Sequence, residues 1–148
     1  MARAERSKRG ERGAALVEFA VAATVFILLT FGVLELGRLL WVHNALADAT
    51  RRGARFAVNQ PQGAVDDIKR VAVYGTADGS GTPLVNDLTV DKVKVTHVGW
   101  GVGAGTVTVE IENFDFRFVV PILGTTIRMP GYRTTLTGEN SGWQPNSI

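Results

Sequence analysis

Gly13-Ala14-Ala15-Leu16-Val17-Glu18-Phe19 opens the stretch on which the fold turns. A basic segment ends at Arg12, and from Ala14 to Leu34 the chain is apolar with a single charge, Glu18. A helix of about 20 such residues reaches across the ~30 Å hydrocarbon core of a bilayer. Glu18 is the residue that needs explaining, because a carboxylate inside a span costs roughly 2.5–3.5 kcal/mol at the centre and less near an end. A cation at membrane depth offsets that cost, and its most economical source is a freed α-amino group on a neighbouring copy. The simpler alternative is a carboxylate that snorkels back to the cytoplasmic boundary.

On the N-terminal side of this stretch lies the chain's basicity. The overall pI is near 9.3, a value that suggests nucleic-acid binding until the charge is located. Residues 1–13 hold Arg3, Arg6, Lys8, Arg9 and Arg12 against Glu5 and Glu11, so the remainder of a chain with net charge +2 sums to −1. The part beyond the leader has no net electrostatic footprint for phosphate, and no nucleic-acid partner is expected. Basic residues beside an apolar span read as positive-inside, which puts the N-terminus in the cytoplasm and the C-terminal bulk outside. Residues 1–13, short and charged, are expected to be disordered. A conventional secretory signal would need a shorter apolar core and a small-x-small cleavage site after it. Here Leu34-Glu35-Leu36-Gly37-Arg38 continues as helix instead.

On the C-terminal side the helix does not stop at the membrane. Leu39, Val42, Leu46, Ala49, Gly53 and Phe56 recur at alternating intervals of three and four and line one narrow stripe. Arg38, Asn44, Asp48, Arg51, Arg52 and Arg55 take other faces, and Pro61 marks the end. The pattern predicts a helix over 14–58, partly in lipid and partly in water. Its wet stripe packs either on the chain's own outer domain or on a neighbouring subunit. Gly32 and Gly37 weaken the helix by about 1 kcal/mol each relative to Ala. They serve either bending during assembly or close helix contact. Glu35 and Arg38, three apart, are positioned to pair at the membrane boundary.

Val65, Ile68, Val71 and Ala72 predict a second helix over about 62–74, with Asp66 and Asp67 suited to its N-terminal dipole and Gly75 as its stop. Residues 76–86, with Gly79, Gly81 and Pro83, read as an exposed loop. The last third is β. Strands are predicted at about 88–98, where Val93 and Val95 alternate with lysines, at Val107, Val109 and Ile111, and at 132–137. After Ile111 the apolar phase shifts by one to Phe114, Phe116, Phe118 and Val120, which predicts a bulge near Glu112-Asn113. Pro121 should end that strand, and the tail 138–148 should be loose apart from Trp143. The fold class is α+β: a long N-terminal transmembrane helix continuing into a small domain with a short second helix and a three- to four-stranded antiparallel sheet.

Nothing in the chain assembles an active site. The glycine run 99–105 lies between two strand patterns and opens no helix, so it reads as a hairpin connection rather than a nucleotide loop. His43 and His97 are solitary, and without cysteine there is no thiol nucleophile or thiolate metal site. Glu110, Glu112 and Asp115 sit along one bulged strand pattern, and Glu110 and Glu112 share a solvated face, where paired carboxylates without a pocket do no acid–base work. The reading is a non-enzyme without catalytic residues, cofactor, metal or small-molecule substrate.

The combination of residues resembles a known family. A basic leader, then Gly13, a small residue, Glu18 at the fifth place after the glycine and an aromatic Phe19 resemble the processing site of type IV prepilins. With Phe31-Gly32-Val33-Leu34-Glu35-Leu36-Gly37-Arg38 and Ala49-Thr50-Arg51-Arg52-Gly53-Ala54-Arg55-Phe56-Ala57, the region 12–58 is similar to TadE-like proteins, minor pilins of Tad (Flp) pilus systems. The Flp major-pilin pattern has Tyr where this chain has Phe19. The resemblance implies three regions: a basic leader 1–13 that is cut away, a transmembrane and amphipathic helix 14–58, and an extracytoplasmic α+β domain 59–148. It implies a prepilin peptidase that cuts between Gly13 and Ala14, with Glu18 and Phe19 setting assembly and register. The expected partners are the inner membrane, that peptidase, other pilins and Tad assembly proteins. The competing expectation is an uncleaved single-span protein whose outer domain binds a partner or ligand.

Overall fold

The computed structural model describes residues 2–61, 63–99, 105–119 and 126–137, with side chains from residue 13 onward. Helix α1 runs unbroken over Ala2–Val58 and helix α2 over Val65–Tyr74. A 3-10 turn at Val90–Lys92 precedes five strands: β1 Val93–Val98, β2 Thr106–Ile111, β3 Asp115–Arg117, β4 Thr126–Arg128 and β5 Tyr132–Thr137. The chain divides into two compact units, one of Met1–Arg38 with Phe118–Thr125, the other of Leu39–Arg117 with Thr126–Ile148.

In the first unit α1 begins at Ala2, where a disordered leader was expected. Ala2, Arg3, Glu5, Arg6, Lys8 and Arg9 are all good helix formers. Adding them to an existing helix requires no new nucleus. From Gly13 through Leu34 almost every side chain is exposed, among them Leu16 at 70%, Phe26 at 69% and Leu29 at 66%. An exterior this apolar is matched to lipid rather than water.

The second unit has its core where the wet stripe of α1 meets the sheet. Val42, Leu46, Ala49 and Gly53 are buried and Leu39 and Phe56 half-buried, as the spacing predicts. Ala45, Thr50, Ala54 and Ala57 widen the buried face. The expected packing of this stripe on the chain's own domain is present. Thr50 Oγ1 lies 2.9 Å from Thr134 Oγ1 on β5. His43 Nδ1 lies 2.7 Å from the Tyr132 hydroxyl, with the two rings edge to face. A Cβ built on Gly53 would stand 3.0 Å from the Cβ of Ala72 on α2 and 3.2 Å from Cγ1 of Val109 on β2. Glycine is therefore favoured there by close approach, not by backbone conformation.

Helix α2 ends as its glycine predicts. Gly75 takes φ 83° and its N–H donates to the Val71 carbonyl. The Arg52 guanidinium closes the same end, donating to the carbonyls of Val71 at 3.0 Å and Ala72 at 2.9 Å. The loop that follows is anchored, since Leu84 N–H donates to the Val73 carbonyl and Val85 and Leu88 are buried.

The sheet order is β1-β2-β5, antiparallel throughout. Three cross-strand rows line its inner face: Val93, Ile111 and Tyr132; Val95, Val109 and Thr134; His97, Val107 and Leu136. The outer face carries Lys94, Glu110 and Arg133 in one row and Thr96, Thr108 and Thr135 in the next. The pairing of Val98 with Thr106 makes 99–105 a hairpin connection, although residues 100–104 lie outside the described residues.

Two details differ from expectation. The first strand starts at Val93 rather than near 88, because Val90–Lys92 coil into the 3-10 turn. The phase slip after Ile111 is not a bulge within one strand. Glu112 N–H makes a last bond to the Lys92 carbonyl, Asn113 turns the backbone with φ 56°, and β3 then pairs with β4 as a separate two-stranded sheet. Asparagine tolerates this left-handed conformation better than most residues. Both apolar phases end up inside, with Val107, Val109, Ile111, Phe114 and Phe116 buried and Phe118 half-buried. The expected strand end at Pro121 and the pinning of the tail by Trp143 fall outside the described residues.

Candidate functional site

Gly13, Ala14, Glu18 and Phe19 all lie inside α1 and all are exposed. The helix thus presents them without enclosing them. Nothing lies within 4 Å of a Cβ built on Gly13, and the same is true of Gly32 and Gly37. Among the described residues the fold leaves room for side chains at these positions. No close contact among the described residues accounts for Gly32 or Gly37.

Glu18 stands in the middle of apolar neighbours, with Val17 at 66% and Phe19 at 71% exposure. Among the described residues it makes no hydrogen bond or ion pair. In water this arrangement is harmless to Glu18 and unfavourable for its neighbours; in lipid the reverse holds. One helix among the described residues is long and apolar enough to cross a membrane, spanning Gly13–Val58, and none of its most apolar window is buried.

At the far end of the apolar run the expected Glu35–Arg38 pair is present. Arg38 Nη2 lies 2.5 Å from Glu35 Oε1 and its Nε lies 3.2 Å from the same oxygen. Sequence reasoning missed the third partner, the Val119 N–H, at 3.1 Å. No local spacing could have found a bond across 84 positions.

The remaining candidate residues are accounted for by packing and surface pairing. Glu110 takes a forked contact from Arg133 at 3.1 and 3.2 Å, and Asp115 pairs with Arg128 at 3.2 Å. Glu112 is exposed. His43 is held against Tyr132, whose hydroxyl is pushed above its ordinary pKa of 10.0 by burial. His97 sits on the inner face of the sheet, and burial lowers its pKa from the ordinary 6.5. Among the described residues no three histidines or carboxylates stand close enough to hold a metal ion.

Comparison with known proteins places the exposed helix. Residues 13–55 match the family model described as TadE-like protein. No curated protein and no solved structure matches the chain. The match starts at Gly13, takes in the apolar run and ends within the buried stripe. Over that segment, which is less than half of the chain, the protein is similar to TadE-like proteins, a structural family associated with Tad pili.

Proposed function

We propose that this protein is a minor pilin or pseudopilin of a Tad (Flp) type IV pilus or related secretion apparatus, with a structural or priming role. The observation that carries the reading is α1 itself. From Gly13 to Leu34 it exposes an apolar surface whose one charge is Glu18, and from Leu39 to Val58 the same helix builds the core of a folded unit. This is the organisation of a subunit that is held in a membrane before its helix is transferred to a filament.

In this reading the basic leader stays cytoplasmic, and an inner-membrane prepilin peptidase cuts between Gly13 and Ala14. Gly13 is suited to the peptidase because a residue without a side chain admits close backbone approach. The new amine at Ala14 is the cation for Glu18 of an adjacent, axially staggered subunit. A buried unpaired charge is costly, so the pairing favours one register over its neighbours. The protein acts without catalysis or cofactor.

Quantitative mass spectrometry of sheared surface fibres tests the role. The proposal expects the protein at a small ratio to the major pilin, and fibre formation should fail when it is deleted. Its absence from fibres, together with normal piliation on deletion, would favour an uncleaved single-span protein whose outer domain serves another partner.

A further inference from the structure

Glu35 is buried where its neighbours are not. Leu34 and Leu36 are 62% and 55% exposed, yet Glu35 is 5% exposed. It is covered from the loop that follows β3. The Val119 N–H donates to Glu35 Oε1 at 3.1 Å, and the same oxygen accepts from Arg38 Nε and Nη2. A carboxylate removed from water must be met by donors and an opposite charge, and Glu35 is met by both. Phe118 and Val119 belong to the same compact unit as α1 up to Arg38.

This fastening brings another apolar group to the same height. The Val119 side chain is 74% exposed, more than any other large apolar residue described. In sequence it is followed by Val120, Pro121, Ile122 and Leu123, with no charge before Arg128. Its backbone is tied to the helix between two leucines that face outward at the end of the apolar run.

We infer that the Phe118–Val119 turn is a second membrane contact, seated in the interfacial layer of the lipid and fastened to the span by Glu35. The inference rests on reading α1 as a membrane span. Lipid is the occupant because the exposed Val119 is bonded through its backbone to a residue that stands between the exposed Leu34 and Leu36, which sets it at their depth. Backbone N–H groups at that depth need a partner from the protein, and Glu35 supplies it to Val119. Arg38, with its side chain 41% exposed, balances the carboxylate and places its guanidinium toward the headgroups. The acid at the end of the span is thus a fixed acceptor for the turn, and the turn shields the acid from lipid.

The chain has no cysteine, so single cysteines can be labelled uniquely. Full-length protein carrying Leu34→Cys, Val119→Cys or Thr135→Cys is labelled with a fluorophore. It is then reconstituted in phosphatidylethanolamine–phosphatidylglycerol vesicles containing lipids brominated in the upper acyl chain. The expected result is loss of fluorescence at 34 and 119 and none at 135, the outer face of the sheet. Adding Glu35→Ala should abolish the loss at 119 and keep it at 34. Loss at 34 without loss at 119, whether water or a second copy covers the label, overturns the inference and leaves the span intact. No loss at 34 overturns both, and loss at 119 that survives Glu35→Ala overturns the role given to Glu35.

Discussion

Glu18 and Gly13 stand in the open on the helix, where the fold neither uses nor constrains them. Substitutions there separate folding from function. Glu18→Ala removes a charge that contacts nothing described, so the thermal midpoint of the detergent-extracted protein should not move, whereas its recovery in sheared fibres should fall to background. Normal recovery would remove Glu18 from assembly. Gly13→Arg should likewise fold normally and accumulate as a full-length precursor on immunoblots. Both residues draw attention in the sequence because an acid in an apolar run and a glycine at the end of a basic leader are conspicuous in one dimension. The Glu35–Arg38 half of the clasp was legible from spacing, but its Val119 partner was not. Nothing local connects a carboxylate on a helix to a backbone N–H in a distant loop.

Individual elements meet closely, and their contacts set how much each substitution costs. Leu46 is fully buried on α1, so Leu46→Ala should destabilise the second unit by about 2–5 kcal/mol, read from denaturant melts. Gly53→Leu should be worse than Gly53→Ala, because even the first carbon meets Ala72 and Val109 at 3.0 and 3.2 Å. Arg52→Ala strips two donors from the end of α2 and should cost about 1–3 kcal/mol, with earlier hydrogen exchange in Val71–Tyr74 than in β2. A uniform loss across both elements would mean that Arg52 supports the unit as a whole. Helix α1 and the three long strands were readable because their periods run for several repeats. The β3–β4 pair was not, since each strand has three residues and the turn at Asn113 imitates a bulge in the apolar pattern.

The molecule as a whole should respond to acid through His97. Unfolded, this imidazole takes up its proton near pH 6.5; folded, burial delays the uptake to lower pH. Between the two values the unfolded chain binds more protons, so stability declines as the pH falls below about 6.5. The thermal midpoint in detergent should therefore drop on acidification from about pH 7.5 to about 5.5. His97→Gln should flatten that slope, and an unchanged slope would assign it to other groups. The α+β class was visible in the chain's hydropathy and periodicity. The division of the strands into two sheets depends on pairings between distant segments that no window of sequence contains.

Processing of the N-terminus tests the central claim most directly. The protein is extracted from membranes of cells with and without the prepilin peptidase, and its first residue is determined by mass spectrometry. A start at Ala14 in the first case and an intact leader in the second is the predicted result. A start at Met1 or Ala2 in both would contradict the claim and leave an uncut, membrane-tethered domain.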